Sequence, residues 1–583
     1  MTQTDTTCGA GFLLGDAAPE DVFTPEDFSA EQLLYAKTAR DFMRNEVLPV
    51  SDRIEAKDFG LVRDLLRKAG ELGLLMADVP EEYGGLALDK ASGALIAENI
   101  SGQGSFQTIL SGHTGIGSLP LVYYGSQALQ ARYLPDMAVG AKIGCYALTE
   151  PAAGSDALAC RTKAVLSADG AHYVLNGTKQ FITNAGFADL FTVFAKVDGQ
   201  HFTGFLLERE TPGLSVGPEE HKMGLKGSST TTVILDDARV PVENVLGQVG
   251  QGHKIAFNIL NIGRFKIGAG AVGQGKWALE YALAYCLERK QFGKRIAEFG
   301  AIREKLAEMF VRLYSAEAAT YRTIGLIDRL LQAGDGAHGE AALRSIEEYN
   351  LECAAVKVVG SEVLGYVVDE AVQCFGGYGY CAEYPVEALY RDSRIARIYE
   401  GTNEINRLLI ATQLLRRAGR SQLPLLEAAA EVERALAEST TAAEQPSSGP
   451  VATEATLVAT LKRVLLLCLK AVAESSQTAT MVPARLADLF ALVYVAESTR
   501  LRAAKDAARR GVGRAAGAVA AARITCESAQ ERAESLARQV LVATGRRDLL
   551  AGLGRLTARE PADVLALKEL IAARLVEAER WIV

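Results

Sequence analysis

The chain has 583 residues, 49% hydrophobic and 23% charged, which exceeds one hydrophobic core and reads as several ordinary globular domains. A formal net charge of −9 excludes a broadly basic nucleic-acid-binding surface, although a local basic pocket for an anion stays open. Nine cysteines without a C-x-x-C pair exclude a disulfide framework and a zinc site, leaving reduced thiols in a cytoplasmic compartment as the expectation.

The acidic N-terminus, MTQTDTTCGAGFLLGDAAPED, lacks the basic and apolar regions of a secretory signal and the arginines of a mitochondrial presequence. Residues 26–143 read as a helical domain. Within it, Glu31 to Val47 and Gly60 to Leu75 carry apolar positions at three- and four-residue spacing, and Pro80 and Gly84-Gly85 then interrupt. Residues 144–248 change pattern. Ala164–Leu166, His172–Leu175, Leu190–Ala195, Phe202–Leu207 and Thr231–Leu235 are short apolar, β-branched or aromatic runs, with Asp169-Gly170 and Asp198-Gly199 between some of them, which predicts antiparallel strands. Long helical patterns return over residues 249–420. Residues 438–456 have the small, polar, Pro-containing composition of a linker, and residues 457–583 read as an extra helical domain. The longest apolar run, Leu489 to Ala496, falls far short of the roughly 20 residues of a membrane span, so membrane contact is expected to be peripheral at most.

Three stretches carry candidate chemistry. Tyr146-Ala-Leu-Thr-Glu-Pro-Ala-Ala-Gly-Ser-Asp156 opens from a strand end into a small-residue loop, whose N–H groups and hydroxyls suit a phosphate or a planar ring. In Gln373-Cys-Phe-Gly-Gly-Tyr-Gly-Tyr380 the glycines permit close backbone approach, or simply a tight turn. In Arg394-Ile-Ala-Arg-Ile-Tyr-Glu-Gly-Thr-Asn-Glu-Ile405, Thr402 is a candidate N-cap for a helix through Leu415. Glu400 precedes that helix, beside Gly401, either as a solvated loop acid or as a general base aimed into a pocket.

Taken in order with Phe181-Ile-Thr-Asn184 and Glu288-Arg-Lys-Gln-Phe-Gly-Lys294, these motifs resemble the acyl-CoA dehydrogenase family over roughly residues 26–420. Asn258-Ile-Leu-Asn-Ile-Gly-Arg-Phe265 and the extra C-terminal helices resemble its very-long-chain subgroup. The resemblance implies a mostly α fold with a central β domain: an α-helical domain, a β-barrel-like domain and a four-helix domain, here with the extra C-terminal helical domain. It implies FAD as cofactor, long-chain acyl-CoA as substrate, an electron-transferring flavoprotein as acceptor, and a homodimer. An acyl-CoA oxidase, a non-enzymatic assembly factor and a nucleic-acid-associated flavoprotein are the alternatives on the same fold. Arg500, Arg502, Lys505, Arg509, Arg510 and Arg514 form a local basic cluster, expected as a solvated helix face or as a contact for anionic lipid or a partner.

By motif position, Tyr146, Leu148, Thr149, Ser155, Phe181 and Thr183 are expected along the flavin and its pyrophosphate. Arg289, Gln291, Gln373 and Gly377 are expected to reach FAD across a dimer contact, and Thr402 and Glu404 to meet a phosphate or ring edge at a helix N-terminus. Phe181 stands where many members carry Trp. Glu400 is the expected base; a second family branch carries its base at the position of Gly263, which has no side chain to serve. Ser155, Asn261, Arg264, Gly401 and Ser111 are expected to contact the substrate, and Ser111, where medium-chain members carry Glu, to leave the acyl tunnel long. No metal site is expected.

Overall fold

The protein is described from a computed structural model, which defines residues 8–334, 339–420, 423–438, 449–475 and 481–582. Helix α1 (Ala30–Phe42) starts at Ser29, whose hydroxyl accepts from the Gln32 N–H while Gln32 reaches back to the Ser29 N–H, so two helix-end donors are satisfied reciprocally. Helices α2 (Phe59–Glu71), α3 (Lys90–Asn99), α4 (Gly104–Gly112) and α5 (Gln127–Ala138) complete the first region. Gln103 caps α4 by accepting from the Phe106 N–H at 2.6 Å.

The middle region is one eight-stranded sheet: β1 (Gly144–Ala147), β2 (Lys163–Leu166), β3 (His172–Thr183), β4 (Leu190–Val197), β5 (His201–Glu208), β6 (Leu214–Glu219), β7 (Thr230–Pro241) and β8 (Val245–Leu246), in the order β6-β7-β3-β2-β4-β5-β8 with β1 also on β4. The turn residues foreseen between β2 and β3 and between β4 and β5 are there, with Gly170, Asp198 and Gly199 at positive φ. The expected all-antiparallel pairing is corrected. Both β1 and β2 run parallel to β4, β1 pairing with its first half and β2 with its last two residues. They lie end to end along one edge, and residues 148–162 leave the sheet between them; a parallel continuation needs such an excursion, whereas a two-residue turn would reverse the chain.

The long helices α6 (Gly252–Glu288), α7 (Gly300–Ala333), α8 (Asn350–Phe375) and α9 (Asn403–Gly419) follow. Helix α6 is apolar on nearly all sides and is enclosed by α3, α7 and α8, as an all-round hydrophobic helix must be. Helix α10 (Ala452–Glu474) begins inside the stretch that composition marked as linker; residues 439–448 of that stretch lie outside the described residues. Helices α11 (Met481–Arg510), α12 (Ala516–Ala543) and α13 (Val564–Ala578) pack directly on α7, and α11 also on α8 and α9.

The basic cluster divides: Arg502 and Lys505 are buried in ion pairs, while Arg509, Arg510 and Arg514 are exposed, as a solvated face would be. Arg502 is 1% exposed and pairs with Glu317 of α7 at 2.6 Å and with Glu26 at 2.8 Å, and Lys505 pairs with Asp27 at 2.5 Å. Arg509 also pairs with Asp27, and Arg510 with Asp506. The N-terminal segment 8–27 thus lies between α11 and the core, with Phe12 against Phe490 and Tyr494. Among the described residues, no helix is long and apolar enough to cross a membrane.

Candidate active site

Glu400 occupies a two-residue left-handed turn, at φ 54°, followed by Gly401 at φ 81°. A non-glycine residue holds that backbone only when its surroundings enforce it. Here the Asn406 amide donates to the Gly401 carbonyl at 2.8 Å and to the Thr402 carbonyl at 3.1 Å, and the Lys357 ammonium donates to the Gly401 carbonyl at 2.8 Å. Thr402 caps α9 by accepting from the Ile405 N–H at 3.3 Å, as its position suggested. Arg264, buried on α6, is held by Asn261 at 2.6 Å and leans its Nε on the Glu400 carbonyl at 3.5 Å.

The turn aims the Glu400 carboxyl into a cavity of about 90 Å³ between α4, α6 and β3. Ser111, Thr183, Gly263, Lys266 and Tyr399 line it with Glu400. Glu400 Oε2 is secluded and has no hydrogen-bond partner among the described residues. Burial pushes its carboxyl up to about 7, while Arg264 and then Lys357 oppose that rise. An unpaired buried carboxyl of this kind is poised to exchange a proton near neutral pH. The Glu400 N–H donates to no described backbone or side-chain acceptor, which leaves it available to an oxygen in the same cavity.

The loop 148–162 is anchored by Glu150, which the sequence reading passed over. Its carboxylate accepts from the N–H groups of Arg161 and Thr162 and from Lys179 at 2.7 Å, tying the loop to β3. Tyr146 and Leu148 are buried where the loop departs, and the Tyr146 hydroxyl has no partner among the described residues. Thr149 is partly buried and its carbonyl accepts from the Gln180 N–H, Ser155 is exposed, and Phe181 is 58% exposed at φ 59°. An orphaned buried hydroxyl at Tyr146 and an exposed aromatic face at Phe181, two residues before Thr183, fit a large planar cofactor with polar edges.

Arg289, Gln291 and Gly377 line a separate open cavity of about 460 Å³, with the Arg289 guanidinium over the Tyr378 ring at 5.6 Å. It shares no lining residue with the Glu400 cavity. Gln373 is exposed one turn before Gly377, outside the lining of this cavity. Glu404 is exposed in the first turn of α9, and its carboxyl is lowered by the free helix-end N–H groups and the Thr402 hydroxyl.

Two cavity neighbours escaped the sequence reading. Lys266 is pinned by Asp78 at 2.5 Å, and Asp78 in turn holds Lys90 at 2.6 Å. Lys357 stands alone within the apolar run Ala354-Ala-Val-Lys-Val-Val359, and a single charge in such a run is the signal that could have exposed it. Among the described residues, no group of His, Cys, Asp or Glu could hold a metal ion.

A helical layer, a mixed sheet and a four-helix domain meet at one secluded glutamate, and similarity to known proteins identifies this as the fold of a flavin-dependent oxidoreductase. Family models for the acyl-CoA dehydrogenase N-terminal, middle and C-terminal domains match residues 29–141, 145–238 and 250–415, and the chain belongs to that family. It is 47% identical over 590 residues to a probable acyl-CoA dehydrogenase of Bacillus subtilis, covering 99% of both chains. A crystal structure of an acyl-CoA dehydrogenase complexed with FAD from Bacillus anthracis superposes with a TM-score of 0.96 at 46% identity, over 99% of this chain and 100% of that one. The very long-chain specific enzyme of Rattus norvegicus is 39% identical over 360 residues, 60% of this chain and 53% of that one. The match to the Bacillus anthracis enzyme includes the C-terminal helices, so the expectation of a family fold with an extra helical region is met.

Proposed function

We propose that the chain oxidises long-chain fatty acyl-CoA to trans-2-enoyl-CoA, with Glu400 removing the α-proton. The observation that carries this reading is the secluded Glu400 carboxyl, pushed up to about 7 and facing a cavity beside Thr183. FAD, when bound, supplies the two-electron acceptor for the β-hydrogen. Tyr146, Leu148, Thr149, Ser155, Phe181 and Thr183 would hold it, with Thr402 and Glu404 at the α9 N-terminus. Arg289, Gln291 and Gly377 would serve the cofactor of a second copy, because their cavity and the Glu400 cavity have no residue in common, and Gln373, exposed one turn before Gly377, would join them.

A thioester α-proton is weakly acidic, so charge developing on the carbonyl oxygen needs fixed donors. The unengaged Glu400 N–H is placed to be one of them. Arg264, held by Asn261, stiffens the turn from the α6 side and brings positive charge close to the carboxylate as it forms. Gly401 lets the chain hold the turn, because its φ of 81° is strained for any side chain.

The long-chain preference rests on Ser111, Gly112 and Gly115, three small residues on one wall of the cavity. The space of about 90 Å³ admits a long tail only as its lining gives way, Gln107 rather than Lys266, which Asp78 holds. Electron-transferring flavoprotein is the acceptor we propose. Turnover of acyl-CoAs of increasing length with that acceptor tests the reading; an optimum at long chains supports it, and an optimum at butyryl-CoA contradicts the long-chain part. Stoichiometric hydrogen peroxide would instead make the chain an oxidase.

A further inference from the structure

The buried cation nearest the Glu400 turn has no carboxylate of its own. Lys357 is 0% exposed in the middle of α8, and its named acceptors are both neutral: the Gly401 carbonyl and the Asn403 side-chain oxygen, each at 2.8 Å. Arg264 on the other side of the turn is likewise held by neutral oxygens, whereas several buried cations elsewhere in the core are balanced by acids. Arg502 has Glu26 and Glu317, Arg322 has Glu497, and Lys90 has Asp78. A buried ammonium held only by neutral oxygens is costly unless a negative charge comes into reach. Its largest electrostatic partner is Glu400, and burial drives the ammonium down to about 8.

We infer that Lys357 is a positioning residue for Glu400: its ammonium pins the Gly401 carbonyl, fixing the left-handed turn, and stands behind the turn as counter-charge to the Glu400 carboxylate. The inference rests on Glu400 being the base. The Lys357 cation is itself braced. The Asn403 amide donates to Ser361 and to Glu362, each at 3.0 Å, and Glu362 is held by Arg407 at 2.7 Å. Displacing the ammonium therefore costs a chain of bonds running from α8 into α9, and the side chain stays aimed at the turn.

The arrangement makes the two groups a coupled pair. A proton arriving on Glu400 removes the charge that favours the Lys357 cation, and a neutral residue at 357 would let the Glu400 carboxyl rise further. Other charges share the site. Arg264 faces Glu400 from α6 and opposes the rise more strongly than Lys357 does; Lys266 lines the same cavity with its charge taken by Asp78. Tyr146 from β1 and Tyr399 beside the carboxyl stay neutral, each pushed above the usual phenol range by burial and by Glu400. Glu404 and Glu362 face Lys357 from α9 and α8 but rank below Glu400.

The test is an infrared titration of the Glu400 carboxyl in FAD holoenzyme, assigned by the band that Glu400→Gln removes. Lys357→Met and Lys357→Gln, both neutral, should move its midpoint up by about one unit or more, because an opposite charge within reach typically lowers a carboxyl by 1–3 units. Lys357→Arg, which keeps the charge, should leave it near the wild-type value. A purely packing role predicts no shift in the neutral variants, and an unshifted midpoint in either overturns the inference. The reciprocal measurement needs no change at 357: in lysine-labelled protein, the carbon resonance of Lys357 should titrate at lower pH in Glu400→Gln than in wild type. An unchanged Lys357 midpoint there also overturns it. Full acyl-CoA oxidation by Glu400→Gln would instead remove Glu400 as base while leaving the coupling measurable, so the two failures are distinct.

Discussion

Gly263 and Glu400 face each other across the cavity: a Cβ placed on Gly263 would lie 2.8 Å from Glu400 Oε2 and 2.9 Å from its carboxyl carbon. Position 263 is where a second branch of the family carries its base, and the two alternative positions meet at one point in space. The absent side chain at 263 is the room that the Glu400 carboxyl fills. Gly263→Ala should therefore displace the carboxyl and lower the rate of acyl-CoA oxidation, while Gly263→Glu placed in Glu400→Gln should return a carboxyl to that point and restore part of the flavin reduction; no recovery in the double variant would contradict the shared position.

The pH dependence has a definite sign. Glu400 must be ionised to accept a proton, and burial raises its carboxyl to about 7, so the rate should climb as pH rises through about 7 and level above it. Below that, the single-turnover rate should fall about tenfold per pH unit. Single-turnover measurements from pH 5 to 9 check this; a limb centred near the ordinary glutamate value would contradict the burial argument.

Flavin retention should depend on Arg289. A guanidinium matches phosphate oxygens in paired fashion, and Arg289 lines a cavity separate from the Glu400 cavity. Arg289→Ala should purify with less than one FAD per chain and a lowered melting temperature, partly restored by added FAD through mass action. Unchanged flavin content and melting temperature would remove Arg289 from the cofactor site.

Chain length should respond to Ser111, which lies on the cavity wall. Each buried methylene contributes roughly 0.8 kcal/mol, so blocking the wall costs long thioesters most. Ser111→Glu should depress oxidation of palmitoyl-CoA far more than of butyryl-CoA. Equal losses on both would place Ser111 outside the path of the acyl tail.

The α11 arginines separate by burial. Arg502 is 1% exposed between Glu26 and Glu317, so Arg502→Met should destabilise the fold by about 3–5 kcal/mol, the usual cost of stranding a buried partner. Arg509 is largely exposed beside Asp27, and Arg509→Ala should cost no more than about 1 kcal/mol. Denaturant melts of both variants check the contrast; equal effects would mean that the N-terminal segment does not clamp α11.

Much of this was legible from short-range pattern. The Asp198-Gly199 turn, the Thr402 cap and the change from three- to two-residue periodicity near Gly144 are local, and local rules read them. What escaped depends on contacts distant in sequence. The parallel run of β1 and β2 beside β4 follows from a loop excursion that no periodicity encodes. Arg502 resembled a solvated charge until Glu26 and Glu317, far away in the chain, came to meet it. Lys357, Lys266 and Glu150 carry no motif, and their roles come from what burial places against them. Composition also misread residues 452–456, where Ala and Glu begin α10 although their neighbours are linker-like.

The proposed reaction turns on the Glu400 carboxylate taking the α-proton. Anaerobic mixing of FAD-loaded Glu400→Gln with palmitoyl-CoA, followed by the loss of flavin absorbance, tests it most directly. The variant should fold, keep its yellow cofactor and reduce it about a thousandfold more slowly than wild type, within the 10²–10⁴ that removal of a general base commonly costs. Flavin reduction at a rate near wild type would contradict the claim.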